Sequence, residues 1–117
     1  MNMVVLIGRV GRALEVKIGH RGVTTGRFRM ATDEVWCTPE GEVKTWTTWH
    51  TVTIHGPYAD TLEQIVKVGQ LVYVRGRLAV RKIKQANGQL WVEIVAEEVS
   101  VLARAKDDAE GEDEDDG

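Results

Sequence analysis

Residues Thr45 to Leu78 read TWTTWHTVTIHGPYADTLEQIVKVGQLVYVRGRL. This stretch decides the fold, because it places one helical pattern between two strand-like runs. Thr45–Ile54 is rich in Thr, Trp and Val, the residues that suit a pleated surface. In Ala59–Val68, Leu62, Ile65 and Val66 fall at i, i+3 and i+4 and form a single apolar stripe. Gly69 stands where a C-terminal glycine cap belongs. Leu71–Leu78 then returns to a strand.

Strand signals continue on both sides. Met3–Gly8 is a β-branched run closed by Gly8 and Gly11, and Glu15–Ile18 reads as its continuation or a bulged second half. Gly19 and Gly22 make a turn. Gly26–Thr32 alternates, with Phe28 and Met30 on one face and Arg27, Arg29 and Ala31 on the other. Pro39-Glu40-Gly41 marks a loop tip. Asn87-Gly88 marks a tight turn before Leu90–Ala96, a strand that Val99–Leu102 extends. The order β-β-β-α-β-β predicts an all-β fold: a five-stranded OB barrel over residues 1–104, with one helix between strands 3 and 4. A cold-shock barrel lacks the helix, and a ferredoxin-like fold needs two.

The formal net charge of −3 conceals a division. Residues 107–117 hold eight of the eighteen acids and no base, while residues 1–106 carry all fifteen Lys and Arg against ten acids. The body is therefore basic, as a polyanion binder requires. The segment 105–117 is too acidic and too poor in large apolar side chains to offset the entropy of ordering, and is expected to be a disordered tail. Cys37 is the one cysteine, which excludes an internal disulfide framework and a multi-cysteine zinc site. No apolar run approaches a membrane span and no secretory leader is evident, so the expected location is the cytoplasm, with no membrane partner.

Alternation along Trp49–His55 puts Trp49, Thr51, Thr53 and His55 on one face and His50, Val52 and Ile54 on the other. The second set belongs to the core or a subunit contact. The first offers an exposed aromatic among polar neighbours. Trp36 stands at a strand end beside a polar loop. Every nucleobase has a π-face that stacks on such rings, at about 1–3 kcal/mol per base. Trp46 falls on the opposite face from Trp49 of an unbulged strand, and Trp91 is open between core and platform. Arg75, Arg77, Arg81, Lys82 and Lys84 lie within ten residues with no acid among them. Such a run is commonly a solvated strand edge; beside an aromatic face, contact with phosphates is the better reading.

Enzymatic readings find little support. His50 and His55 face opposite ways on a regular strand and cannot chelate one metal. Asp33 and Glu34 diverge as neighbours, and the glycines make no phosphate loop. No catalytic residue, metal or cofactor is expected.

These residues resemble bacterial single-stranded-DNA-binding proteins over residues 2 to about 102. Asn2–Gly11 (NMVVLIGRVG), Ala31-Thr32 followed by Trp36, Glu42–His50 ending in TTWH, Gly69–Leu78 (GQLVYVRGRL), Arg81-Lys82 and Asn87-Gly88-Gln89 recur in order. The resemblance implies an OB fold assembled as a homotetramer that binds single strands without sequence preference, in replication, recombination or repair in a bacterial nucleoid. It implies base stacking on Trp36 and Trp49, phosphate contact at Arg81 and Lys82, and a subunit interface at His50. DNA contact is further expected at His55, Arg75, Arg77 and Lys84.

Departures from the family pattern accompany these matches. His55 stands where the family usually has a stacking phenylalanine, and Ile83 where it has a third tryptophan. Thr51 and Pro57 replace common basic residues. The family's tail ends in an acidic-hydrophobic peptide that docks replication and repair proteins, whereas residues 107–117 contain no Pro or Phe. The competing expectations are a protein–protein adaptor that holds nucleic acid weakly, and an RNA-binding barrel.

Overall fold

A computed structural model describes residues 1–83 and 88–105 of the 117. Among the described residues, five strands, β1 (Val4–Ile18), β2 (Thr24–Cys37), β3 (Val43–His55), β4 (Leu71–Lys82) and β5 (Leu90–Ala103), one α-helix, α1 (Pro57–Ile65), and a short 3-10 turn at His20–Gly22 make the fold. The strands close into a barrel in the order β1-β2-β3-β5-β4, with β4 returning to β1. Four of the pairings are antiparallel, and β3 meets β5 in parallel at Val52↔Ile94 and Thr53↔Val95. This is the expected OB barrel, with the helix between strands 3 and 4.

β1 is one strand that serves two neighbours. Its first half pairs with β4 and its second half with β2, and register shifts between Val10 and Arg12 and between Arg12 and Glu15 turn it around the corner. The segment Glu15–Ile18 is thus the bulged continuation of the first run. A side chain at Gly8 would collide with the carbonyl of Ala31, so glycine there lets β1 cross close to β2.

Inside the barrel, alternate residues meet. Val10, Leu14, Phe28, Met30, Val52, Ile54, Val72, Val74, Ile94, Ala96 and Val99 are buried, and Ala59, Leu62 and Val66 seal one end. Burying each large side chain contributes about 1.5–3 kcal/mol. The Tyr58 hydroxyl accepts from the Val99 amide at 2.9 Å and lies 3.1 Å from the Val99 carbonyl, tying the helix to β5.

The helix differs from the sequence pattern in two respects. It ends at Ile65, with extended backbone already at Val66, so Ile65 is exposed while Val66 still reaches the core. The buried positions Ala59, Leu62 and Val66 are therefore a short helix face plus one residue beyond it. Gly69, at φ 90°, caps no helix; it forms the turn into β4, and its amide donates to the Val10 carbonyl at 2.8 Å.

Candidate nucleic-acid interface

Residues paired across a ladder share a side of the sheet, so the register can be followed around the barrel. Arg12 and Glu15 of β1 pair with Arg29 and Arg27 of β2; Arg27, Arg29 and Ala31 pair with Thr53, Thr51 and Trp49 of β3. Thr53 pairs with Val95 of β5, which shares its side with Glu93 and Trp91, and these meet Arg77, Ala79 and Arg81 of β4. One outer face thus crosses all five strands and carries Trp49 and Trp91, with Arg12, Arg27, Arg29, Arg77 and Arg81 beside Glu15 and Glu93.

Trp49 is half exposed. Its ring lies over Gly11, where any Cβ would run into it, and the Arg29 guanidinium sits 5.7 Å from its centroid. The absence of a side chain at position 11 makes a flat seat for the indole. Arg12, Arg29, Gly11 and Trp49 line a hollow of about 310 Å³.

Trp91 is held differently. Its Nε1 donates to Glu93 Oε2 at 2.7 Å, and the Thr53 hydroxyl donates to the same oxygen at 2.7 Å. Arg27 Nε approaches that oxygen to 3.8 Å and Thr53 Oγ1 to 3.4 Å. Burial raises the Glu93 carboxyl pKa, but the two hydrogen bonds and the charges of Arg27 and Arg81 outweigh it and hold it below the usual value. Guanidinium carbons of Arg27 and Arg81 lie 5.3 and 5.6 Å from the Trp91 centroid.

Thr53, expected on the outer surface with Trp49 and His55, is fully buried. It faces outward, but Glu93, Arg27 and their neighbours cover it. His55 is exposed at the end of the same row, with Nδ1 3.5 Å from Thr25 Oγ1. Trp36 is exposed on the β2–β3 ribbon, whose ladder runs unbroken from Thr25↔His55 to Cys37↔Val43. That register puts Trp36 and Trp46 on the ribbon side opposite Trp49. Arg75 is bound by Glu97 at 2.8 Å and Glu98 at 3.4 Å, six residues and about 20 Å along β4 from Arg81. Arg77 and Arg81 share the face with Trp91. Lys82 points to its other side, yet with Arg81, Ile83 and Trp91 it lines a groove of about 530 Å³. Lys84 and Asn87 lie outside the described residues, as do residues 106–117 of the expected tail.

His50 is partly exposed and shares its side with Val52 and Ile54. Its Nε2 lies 2.8 Å from Thr32 Oγ1, and burial lowers its pKa. Beside it opens a hollow of about 380 Å³ that includes Val4, Leu78 and Val92.

Arg12, Arg27, Arg29 and Glu93 were not among the sequence candidates, and Trp91 stood open between core and platform. Alternation already put Arg27 and Arg29 opposite Phe28 and Met30. What the sequence lacked was the pairing that sets them beside Trp49 and Trp91.

The profile of the Single-strand binding protein family matches residues 1–102. A single-stranded DNA-binding protein of Neisseria meningitidis (serogroup A / serotype 4A, strain DSM 15465 / Z2491) is 34% identical over 113 residues, covering 95% of this chain and 65% of the relative. The chain thus spans about two thirds of the length of that relative. Among solved structures, the Plasmodium falciparum SSB in complex with ssDNA superposes with a TM-score of 0.77 at 29% identity, covering 89% of this chain and 95% of that one. The small single-stranded DNA-binding protein of Streptomyces coelicolor shares the fold, with a TM-score of 0.70 at 24% identity over 87% of this chain and 95% of that one. With the family profile matching residues 1–102 and the barrel superposing on solved members, the chain belongs to the single-strand binding protein family.

Proposed function

We propose that this chain binds and protects single-stranded DNA without sequence preference, in replication, recombination or repair, and catalyses no reaction of its own. The observation that carries the reading is the outer face itself, where an exposed indole stands among arginines drawn from several strands. Unpaired bases stack on Trp49, and Arg12, Arg29, Arg77 and Arg81 meet the phosphates, with Lys82 and Lys84 extending the basic track. Trp36 stacks a base farther along. Because it faces the other side of its ribbon, the strand must wrap around the ribbon to reach both. His55 contributes at the end of the row. Arg75, already neutralised by two carboxylates, contributes less. The stacking and ionic parts are both indifferent to base identity.

Oligomerisation belongs to the same reading. Among the described residues, two separate apolar patches are exposed: Met3 with Val5 and Ile7 of β1, and Leu78, Val80, Leu90 and Val92 on the β4–β5 ribbon. A tetramer with dihedral symmetry is built from two or more distinct self-complementary patches, and two are available here. His50 borders the second and is assigned to that subunit contact. Within a bacterial cell, such a protein works in the nucleoid-associated cytoplasm. The eight carboxylates of residues 107–117 match the acidic part of the family's docking peptide but not its apolar part.

Titrating tryptophan emission with poly(dT) and poly(U) tests the reading. Deep quenching by DNA, lost at high salt, is the expected result. Weak quenching by both polymers would favour an adaptor instead, and preference for poly(U) an RNA binder.

A further inference from the structure

Trp91 is the side chain shared by two basic hollows. One, of about 300 Å³, is lined by Arg12, Arg27, Arg29, Thr51 and a single acid, Glu15, beside it; the other, of about 530 Å³, by Arg81, Lys82 and Ile83. A polyanion that runs from the arginines of β2 across β3 and β5 to Arg81 of β4 passes this indole. The ring is partly exposed, and its polar edge is already satisfied by Glu93, so what it offers is its π-face. Both nearby guanidiniums have come from opposite sides of β5, Arg27 from beyond β3 and Arg81 from β4.

We infer that Trp91 is a nucleobase subsite, in which an unpaired base takes the place of a guanidinium on the indole face. The exchange is balanced. The displaced arginine gives up a cation–π interaction, which is weak at an exposed site. It gains a charge-assisted bond to the phosphate that arrives with the base. Glu93 and Thr53 are positioning residues: the acid anchors Nε1, and the buried hydroxyl anchors the acid, so the ring waits in one orientation. A carboxylate in a phosphate-binding face is otherwise a liability. Here it is buried and surrounded by donors, so phosphate meets the arginines rather than the acid. This inference deepens the proposed DNA-binding function and rests on it.

The test is a chain carrying Trp36→Phe, Trp46→Phe and Trp49→Phe, in which Trp91 is the one emitter and position 49 still stacks. Binding of a labelled oligo(dT) is followed by anisotropy while Trp91 emission is recorded in the same titration. The expected result is quenching of Trp91 that saturates together with the anisotropy, and no quenching by a duplex of equal length. Anisotropy that rises while Trp91 emission stays constant overturns the subsite and leaves the proposed function intact. Equal quenching by the duplex also overturns it, since charge alone then explains the signal. If the unsubstituted chain binds no oligo(dT) at all, the wider reading falls and the subsite with it.

Trp91→Leu in the otherwise unsubstituted chain should weaken oligo(dT) binding between about 5-fold and about 150-fold. Trp91→Tyr, which keeps a stacking ring, should recover most of that loss. Equal losses in the Leu and Tyr variants, with both folded, would show that only the link to Glu93 matters and would overturn the stacking role.

Discussion

Trp49 and Trp91 share one face of the barrel and are held by opposite means. Trp49 rests on an absence: Gly11 offers no side chain, and the ring lies in the space a Cβ would fill. Trp91 is held by a presence, the Glu93 carboxylate that accepts its indole proton and is itself fixed by Thr53. The first arrangement costs little polar burial and leaves the ring half exposed. The second puts a charge under the sheet surface and requires donors around it. An aromatic surface can thus be oriented either by shape or by hydrogen bonding, and the two respond differently to substitution, pH and salt.

The sharpest way to break the comparison is to remove each support in turn. Trp49→Ala should cost about 1–3 kcal/mol of single-strand affinity and leave the thermal midpoint nearly unchanged, because the ring packs on the outside. Unfolding of this variant, with unaltered affinity per folded molecule, would reassign Trp49 to the core. Glu93→Leu should act on stability first, and on affinity only through the Trp91 ring it orients. It leaves the buried Thr53 hydroxyl and the Trp91 N–H without their acceptor, at about 1–3 kcal/mol of stability. Urea unfolding curves for the two variants separate these outcomes directly.

Gly11→Ala probes the seat itself. The new methyl forces the Trp49 ring from its place, and an off-rotamer indole costs on the order of 0.5–1.5 kcal/mol. Affinity should fall by that amount, and Trp49 emission should shift even without DNA. An unshifted spectrum would show that β1 gives way rather than the ring.

Charge distinguishes the supports less strongly. Arg81→Ala with Lys82→Ala should reduce the slope of log affinity against log salt by roughly 0.7 for each phosphate that the protein no longer neutralises. Arg75→Ala should change the slope less, since Glu97 and Glu98 already neutralise it. Equal slopes for both variants would remove the distinction between a paired and an available arginine.

The smallest effect is on stability against pH. His50 and Glu93 both have lowered pKa values in the folded chain, so the unfolded chain binds more protons in acid. Each contributes stability that is present above its unfolded pKa and lost as pH falls through its folded one. The decline should begin below about pH 6.5 for His50 and steepen below about pH 4.5 for Glu93. His50→Asn should remove the upper part of the decline and spare the lower, as read from denaturation midpoints between pH 7 and pH 4. A decline that begins at the same pH in both proteins would clear His50 of the role.

Much of this was legible in the residues. Alternation within Gly26–Thr32 and Trp49–His55 pointed to the correct inner set, Phe28, Met30, Val52 and Ile54, because a strand's side chains must point to alternate sides. It could not reveal that Thr53 is buried on the outer side, since the cover comes from Glu93, forty residues away. Nor could it foresee an exposed Ile65: the apolar pattern ran on after the helix stopped, and Val66 reached the core from extended backbone. The arginine run around β4 read as one patch, whereas Glu97 and Glu98 divide it.

The sequence by itself determined the order of elements, the single helix, the basic body with its acidic end, and the outward aim of Trp49. Each is a local property, carried by periodicity, turn residues or charge counted along the chain. Tertiary structure alone decided which strands meet. The closing β3–β5 pairing at Thr53↔Val95 and the β4–β5 pairing at Arg81↔Trp91 assemble Arg12, Arg27, Arg81, Trp49 and Trp91 into one face. Local alternation fixes the side on which a residue lies within its own strand, but only the closure of the barrel fixes its neighbours.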